Sequence, residues 1–193
     1  MVRTPLGLRP YAQVRVPPTP AGVSDAALVR RAQKGSREAA AGLFERYWPQ
    51  AWRAALAVTG SHASADDVAQ DAFERAFSGL SGFDASRPFG PWLHRIVVNR
   101  AIDVLRRDRR RAALESEAGE LTGRGRDDVP DPRALEALAE LSAERRVVVV
   151  LRHLLDFTPP EIADVLGIPV GTVNSRLGRA LAELRERLEM GGD

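Results

Sequence analysis

Apolar residues recur at helical spacing along most of this chain. In the segment "SADDVAQDAFERAFSGL", residues 64–80, one face is apolar and consists of Val68, Ala72, Phe73, Ala76 and Phe77. Steps of three and four residues are typical of an amphipathic helix, and they return in the segments that start at Trp92 and near residue 170. The run "VVVV" at 147–150 resembles a strand, but the absence of turn signals beside it favours a buried helix. The pattern predicts an all-α protein.

The same pattern divides the chain into four parts. Residues 1–23 contain five prolines and little apolar periodicity, which indicates a flexible tail. Residues 24–114 and 132–193 are predicted to form two small helical domains. Between them, residues 115–131 ("ESEAGELTGRGRDDVPD") are polar and contain glycine and proline, which is typical of a flexible linker.

In the second domain, prolines and glycines mark where two successive helices begin and end. Thr158 and Glu161 have the spacing of a capping box, with Pro159 at the first helical position. Gly167 follows where a short helix would end in a left-handed residue, and Pro169 suits the first turn of a second helix that runs to about residue 188. Two helices joined by a tight turn form a helix-turn-helix.

The second of these helices has two different faces. Its apolar stripe consists of Val173, Leu177, Ala180, Leu181, Leu184 and Leu188. On the far side lie Thr172, Ser175, Arg176 and Arg179, with Asn174 on the flank. Hydroxyl and guanidinium groups near a helix N-terminus can reach base edges and phosphates in a major groove. The alternative is the solvated face of an ordinary helical hairpin.

An acidic stripe lies opposite the apolar face of residues 64–80. It consists of Asp67, Gln70, Asp71 and Glu74, again at helical spacing. Ser64 and Asp67 are predicted to cap this helix. The stripe is either a solvent-facing surface or a docking surface for a basic helix of a partner.

A basic segment follows the acidic one. From Arg87 to Arg111 there are eight arginines and two aspartates, and five of the six residues 106–111 are arginine. Two prolines and a glycine at 84–91 predict a stiff loop that leads into the helix starting at Trp92. A basic helix beside an aromatic loop suits phosphates and unstacked single-stranded bases, although Trp92 could instead be a core residue and the arginines a solvated helix end.

Composition excludes several classes of function. The chain has no cysteine, which rules out disulfides, thiolate zinc sites and cysteine nucleophiles. Its three histidines, at 62, 94 and 153, stand far apart, and no nucleotide-binding or catalytic motif accompanies them. We therefore expect no catalytic residue, metal or cofactor. The N-terminal segment lacks an apolar signal core and no stretch approaches 18 apolar residues, so we expect a cytoplasmic protein without membrane insertion.

These motifs in this order resemble the extracytoplasmic-function sigma factors, two-domain specificity subunits of bacterial RNA polymerase. "ADDVAQDAFERAF" is similar to the helix of that family that binds the polymerase clamp, and "WLHRIVVNRAIDVLRRDRRR" is similar to the helix that recognises the −10 element. "LRHLLDFTPPEIADVLGIPVGTVNSRLGRAL" resembles the helix-turn-helix that reads the −35 element. The resemblance covers roughly residues 24–188, and the combination is far more specific than a lone helix-turn-helix.

The resemblance implies a role for each motif. The core-polymerase contacts would be Asp67, Gln70, Asp71 and Glu74. The −10 contacts, made while the duplex opens, would be Phe83, Arg87, Phe89, Trp92, Arg95, Asn99, Asp103, Arg106, Arg107 and Arg110. The −35 contacts would be Thr172, Asn174, Ser175, Arg176 and Arg179. The implied partners are core polymerase, promoter DNA as duplex and melted strand, and an anti-sigma factor.

The spacing of the two domains is compatible with this role. Seventeen extended linker residues reach about 56 Å, or about 16 base pairs of duplex. Three features depart from the family pattern: Asn174 replaces a usual cation, "DFTPPE" replaces the turn before the helix-turn-helix, and the tail 1–23 lies outside the family core. The competing interpretation is a helix-turn-helix regulator that does not join polymerase, for which an acidic docking helix would be unnecessary.

Overall fold

The computed structural model describes residues 23–112 and 132–190, and every regular element within those ranges is helical. The helices are α1 (Asp25–Gln33), α2 (Arg37–Thr59), α3 (His62–Gly79), α4 (Phe89–Ala112), α5 (Pro132–Glu140), α6 (Ala143–Val149), α7 (Pro159–Leu166) and α8 (Val170–Met190). The all-α prediction is confirmed. The predicted tail, up to residue 22, and the predicted linker lie outside the described residues.

The first domain is built around α2, which packs against α1, α3 and α4. Small buried residues along α2 let the other helices approach closely, because alanine side chains add little bulk. Aromatic rings fill the wider gaps: Phe73 is almost fully buried and lies 4.8 Å from Phe44 and 5.7 Å from Phe77 between ring centroids. The apolar face predicted for residues 64–80 is the face that α3 presents to this core.

Helix α3 starts earlier than its sequence indicates. Ser61, and not Ser64, is the N-cap: its hydroxyl accepts a hydrogen bond from the backbone N–H of Ser64 at 3.3 Å. The predicted cap at Ser64 and Asp67 is therefore wrong. Both Ser61 and Ser64 carry a hydroxyl that can cap a helix. Gly60, in the left-handed conformation at φ 72°, ends α2, and α3 therefore begins directly after Ser61.

Helix α4 also starts earlier than expected, at Phe89 instead of Trp92. Pro91 falls in its first turn, where the missing N–H costs no intrahelical hydrogen bond. One turn further on, His94 is completely buried, and desolvation lowers its pKa to about 4. At neutral pH this imidazole is uncharged and is part of the core.

The second domain confirms the helix-turn-helix. Thr158 donates from its backbone N–H and from its hydroxyl to Glu161, at 2.7 and 2.6 Å, and these bonds lower the pKa of that carboxyl. Gly167 ends α7 in the left-handed conformation, at φ 64°. Pro169 does not lie inside the second helix as predicted but immediately before α8, where its carbonyl accepts from Thr172 and Val173. The turn therefore fixes the direction in which α8 extends from the end of α7.

The valine run forms a buried helix, as predicted, but with an irregular end. Helix α6 ends at Val149 and continues as a π-helical turn, Val150–Leu154. The chain then passes through Asp156, a non-glycine residue at φ 58°. Phe157 is buried beyond this bend, and its carbonyl accepts from the Arg152 guanidinium at 3.3 Å. The bend brings α7 against the π-helical turn.

The two domains contact each other through a buried arginine. Arg146 of α6 is only 9% exposed, and its guanidinium donates to the backbone carbonyl of Val58 in α2 at 3.0 Å. The same guanidinium donates to the carbonyls of Ala139 and Leu141 within the second domain. Charge-assisted hydrogen bonds of this kind offset the desolvation of the guanidinium.

Candidate nucleic-acid and protein-docking surfaces

The acidic surface of α3 is exposed and pre-ordered. Asp67, Gln70 and Glu74 all face solvent, and the Gln70 side-chain amide donates to the Glu74 carboxylate at 3.1 Å. Carboxylates at helical spacing present a row of negative charge to any basic partner. The sequence pattern places these residues on one face, and the structure leaves that face uncovered.

Asp71 differs from the other members of this surface. Its carboxylate forms an ion pair with Arg100 of α4 and accepts from Arg75 at 3.3 Å, one turn along α3. Its side chain is 29% exposed. The role of Arg100 could not be read from helical periodicity, because the pair joins two helices that only the fold brings together. Asp71 thus connects the acidic surface to the basic helix.

Aromatic rings form a cluster where the loop meets α4. Phe83 and Trp92 lie 4.5 Å apart between centroids, and Phe89 lies 5.6 Å from Trp92. Phe89 is 1% exposed and Phe83 is 9% exposed, whereas Trp92 is half-buried. The structure therefore places Phe89 in the core, where it supports the cluster. Of the three, only Trp92 combines ring contacts with a partly open face.

The loop before α4 is held in a defined shape by two residues that sequence patterns did not single out. Gln33 of α1 donates from its side-chain amide to the carbonyls of Leu80 and Phe83, at 2.9 and 2.7 Å. Asp84 accepts from the backbone N–H of Ser86 at 2.9 Å and from its hydroxyl at 2.8 Å, and both bonds lower the pKa of Asp84. An aspartate two residues before its donor is a common turn signal, but the long-range Gln33 contact has no local signature.

Helix α4 presents a polar, mainly basic face. Its exposed members in the described part are Arg95, Asn99, Asp103, Arg106 and Arg107. Arg107 donates to the carbonyl of Asp103 at 3.3 Å. Arg87 is exposed in the loop that precedes the helix. Arg110 belongs to α4, but its side chain lies outside the described residues. The arrangement can neutralise several phosphates along one helix.

Helix α8 separates its two faces as expected. Val173, Leu177 and Leu184 are buried, while Asn174, Ser175 and Arg179 are exposed. Thr172 and Arg176 are half-buried and lie at the edges of the exposed strip. The Ser175 hydroxyl donates to the carbonyl of Thr172 at 3.0 Å, so its oxygen remains an available acceptor. The strip begins at the helix N-terminus, which is the end that enters a major groove in helix-turn-helix proteins.

Comparison with known proteins identifies the family of this chain. The Sigma-70 region 2 family model matches residues 43–111, and the Sigma-70 region 4 model matches residues 133–184. The ECF RNA polymerase sigma factor SigW of Bacillus subtilis is 30% identical over 83% of this chain and 94% of its own length. The RNA polymerase sigma factor CnrH of Cupriavidus metallidurans is 33% identical over 86% of this chain and 95% of its own length. The chain belongs to the ECF RNA polymerase sigma factors.

Solved structures of this sigma factor family agree with the fold. The structure of CnrH in complex with the cytosolic domain of CnrY has a TM-score of 0.63 and 34% identity, and the match covers 86% of this chain and 97% of that one. The sigma factor RpoE of Bartonella quintana, solved with the anti-sigma factor NepR, has a TM-score of 0.64 at 23% identity, covering 76% of this chain and 94% of that one. The second likeness supports the fold alone.

Membership in the sigma factor family sets the general role. Sigma factors are transcription-initiation factors that are typically not enzymes. Among residues 23–112 and 132–190, no helix is long and apolar enough to cross a membrane. Within the same ranges, no group of three or more histidine, aspartate or glutamate side chains could hold a metal ion. The competing interpretation as a regulator that does not join polymerase is not favoured.

Proposed function

We propose that this sigma factor docks on core RNA polymerase through α3, reads and opens the −10 element with α4 and its preceding loop, and reads the −35 element with α8. The observation that carries the proposal is the placement of an exposed acidic face and an exposed basic face on neighbouring helices of one domain. A DNA-binding domain needs only the basic face. The acidic face would repel DNA and therefore serves a different partner.

Docking would use Asp67, Gln70 and Glu74 directly. Their exposure leaves them available to basic side chains of the polymerase clamp. Asp71 would contribute through position, since its ion pair with Arg100 fixes α3 against α4. Exposed charges of opposite sign accelerate association and set its orientation more than they add affinity.

Capture of the −10 strand would take place beside the aromatic cluster. Trp92 offers a partly open ring on which an unstacked base can stack, with Arg87 and Arg95 exposed nearby for the phosphates. Phe83 and Phe89 would hold the tryptophan in place from behind. Flipping a base out of a duplex costs a few kcal/mol, which stacking and phosphate contacts can offset.

The remaining assignments follow from this role. We propose a first domain of residues 24–114, a linker of residues 115–131 and a second domain of residues 132–193, with the tail 1–23 outside both. The sigma factor would perform no covalent chemistry and need no cofactor, because the core polymerase supplies catalysis. It would act in the cytoplasm, where promoter DNA is found. Since the relative CnrH was solved with the cytosolic domain of CnrY, we propose a protein regulator of the anti-sigma kind.

Run-off transcription tests the proposed function directly. Purified core polymerase, this chain and fragments of its source genome should give discrete transcripts, which core polymerase alone does not produce. Sequencing of the transcript ends would then identify the promoters. If the chain binds DNA fragments but yields no discrete transcript with core polymerase, it is a regulator that does not join polymerase.

The basic end of α4 should contribute contacts that do not depend on sequence. We expect Arg106→Gln and Arg107→Gln, combined with Arg110→Gln, to weaken promoter binding on all sequences. Binding measured at several salt concentrations should give a log–log slope that is shallower by about 0.9 for each duplex phosphate that the variant leaves without its arginine. A matched control is Arg185→Gln, an exposed arginine beyond the proposed −35 residues of α8. An unchanged slope in the triple variant would mean that these arginines are only a solvated helix end.

A further inference from the structure

We propose that α8 reads two A·T base pairs of the −35 element through one flank of its exposed strip. Val170 would pack on the methyl group of a thymine, and Asn174 would form a pair of hydrogen bonds with an adenine. The inference rests on the proposed function, because it names the bases that the −35 surface recognises. It adds Val170 to that surface and gives the surface a base preference.

Val170 is an exposed apolar residue at the end of α8 that enters DNA. It is the first residue of the helix and is 39% exposed. In the part of the chain whose side chains the structure describes, the other exposed large apolar residue is Phe44, which stacks on Trp48 with 4.9 Å between ring centroids. Thymine presents a methyl group in the major groove, and apolar side chains recognise it by contact. A methyl group is therefore the base feature that suits Val170.

Asn174 lies one helical turn after Val170 on the same side of α8, and it is also exposed. The asparagine amide has one donor group and one acceptor, which match N7 and the N6 amino group of adenine in the major groove. Four residues of helix advance by about 6 Å, which is less than two base-pair steps of about 3.4 Å. The two side chains can therefore contact A·T pairs within two steps of each other.

This flank of α8 carries no charge. Gly171, Ser175 and Gly178 are exposed beside Val170 and Asn174, whereas Arg176 and Arg179 lie on the other flank of the strip. Arginine and lysine gain most from phosphates, because binding them releases counterions from the DNA. An uncharged surface lacks this gain, and base edges are the part of the duplex that it can distinguish. The division of charge thus assigns the arginine-bearing flank to the DNA backbone and to guanine, and the other flank to A·T pairs.

Two glycines allow α8 to approach the bases closely at this position. A Cβ atom on Gly171 or Gly178 would meet no atom of another part of the described chain within 4 Å, and neither residue has a positive φ. Packing and turn geometry therefore do not require glycine there, although glycine destabilises a helix relative to alanine. Both glycines lie one turn from Asn174, on either side of it. Their small size lets the backbone lie deep in the groove, which short side chains need to reach base edges.

Selection from a promoter library tests the base assignment with the holoenzyme reconstituted from core polymerase and the full chain. A randomised −35 element should yield two A·T pairs within two steps of each other. Val170→Ala should lose the preference for thymine alone, and Asn174→Ala should lose about tenfold of the preference for adenine alone. Each variant is the control for the other, since both positions are exposed and alanine favours a helix. The same selected sequence for the wild type and both variants would overturn the proposal.

Deoxyuridine isolates the methyl contact, because it differs from thymidine only in lacking the methyl group. Placed at the selected thymine, it should weaken binding of the wild-type holoenzyme about fourfold, the factor expected for exposing one buried carbon. The Val170→Ala holoenzyme should bind both DNAs equally. An equal loss with wild type and Val170→Ala would show that Val170 does not contact this methyl group.

Gly178→Gln separates close approach from helix stability. The replacement should raise the melting temperature of the chain, because glutamine favours a helix more than glycine does. It should nevertheless weaken promoter binding about tenfold, since a long side chain beside Asn174 holds the helix away from the bases. Ala182→Gln is the matched control, because it lies on the same exposed side one turn nearer the C-terminal end, and it should bind as the wild type does. Wild-type binding by Gly178→Gln would refute the close approach. A wild-type chain that gives discrete run-off transcripts but none of these effects refutes the base assignment and leaves the proposed function intact.

Discussion

A chain carrying Asp67→Arg and Glu74→Arg is expected to lose its association with core RNA polymerase. Both side chains are exposed on α3, so neither replacement disturbs the core of the first domain. Reversing two charges on a docking surface replaces two attractions by two repulsions, which typically costs several kcal/mol of binding free energy. Co-purification with tagged core polymerase, or surface plasmon resonance against it, would measure the loss.

A control double variant tests whether the loss of binding depends on where the charges are reversed or only on the change in net charge. Glu136→Arg on α5 and Glu186→Arg on α8 make the same change in charge at exposed positions of the second domain. This control should still bind core polymerase, and circular dichroism should show equal helix content in both double variants. Retention of binding by the α3 variant would refute the assignment of the acidic surface to docking.

Replacement of Arg179 by alanine is expected to relax sequence preference in the upstream promoter element. Val173, Leu177 and Leu184 anchor α8 in the core, which turns Arg179 outward into solvent. A guanidinium can form two parallel hydrogen bonds with a guanine edge, and removing them costs about 1–3 kcal/mol at one base position. Selection from a randomised promoter library should show that position lose its preference.

Arg176 provides the comparison for this experiment. It is half-buried at the edge of the exposed strip, a position that suits a backbone phosphate more than a base. Arg176→Ala should therefore weaken binding to all promoters alike and leave the selected sequence unchanged. If Arg179→Ala also selects the wild-type sequence, Arg179 does not read a base, even where overall affinity falls.

Local patterns predict the helices well and their junctions less well. The apolar face of α3, the buried valine run and the left-handed Gly167 are all readable, because each depends on residues a few positions apart. The predicted start of α3 is wrong because either serine can cap a helix, and only the end of α2 at Gly60 decides between them. The π-helical turn after Val149 has no sequence signature of its own, since it depends on the packing around it.

For the proposed sites as well, local patterns predict some features, whereas others depend on contacts between distant parts of the chain. Helical periodicity groups the acidic residues of α3 and the outer residues of α8 onto single faces, which the structure leaves largely exposed. Periodicity could not show that Phe89 lies in the core, since an aromatic residue in a loop can point either way. Nor could it show that Gln33 holds the carbonyls of Leu80 and Phe83, because that contact joins residues about fifty positions apart.

The ion pair between Asp71 and Arg100 has a consequence for where transcripts would begin. It ties α3, which would contact polymerase, to α4, which would contact the opening strand. The two helices also pack directly against each other. Binding of α3 to the polymerase would therefore also set the position of α4 on the enzyme. The first transcribed nucleotide would then lie at a constant distance from the −10 element on every promoter that this protein recognises.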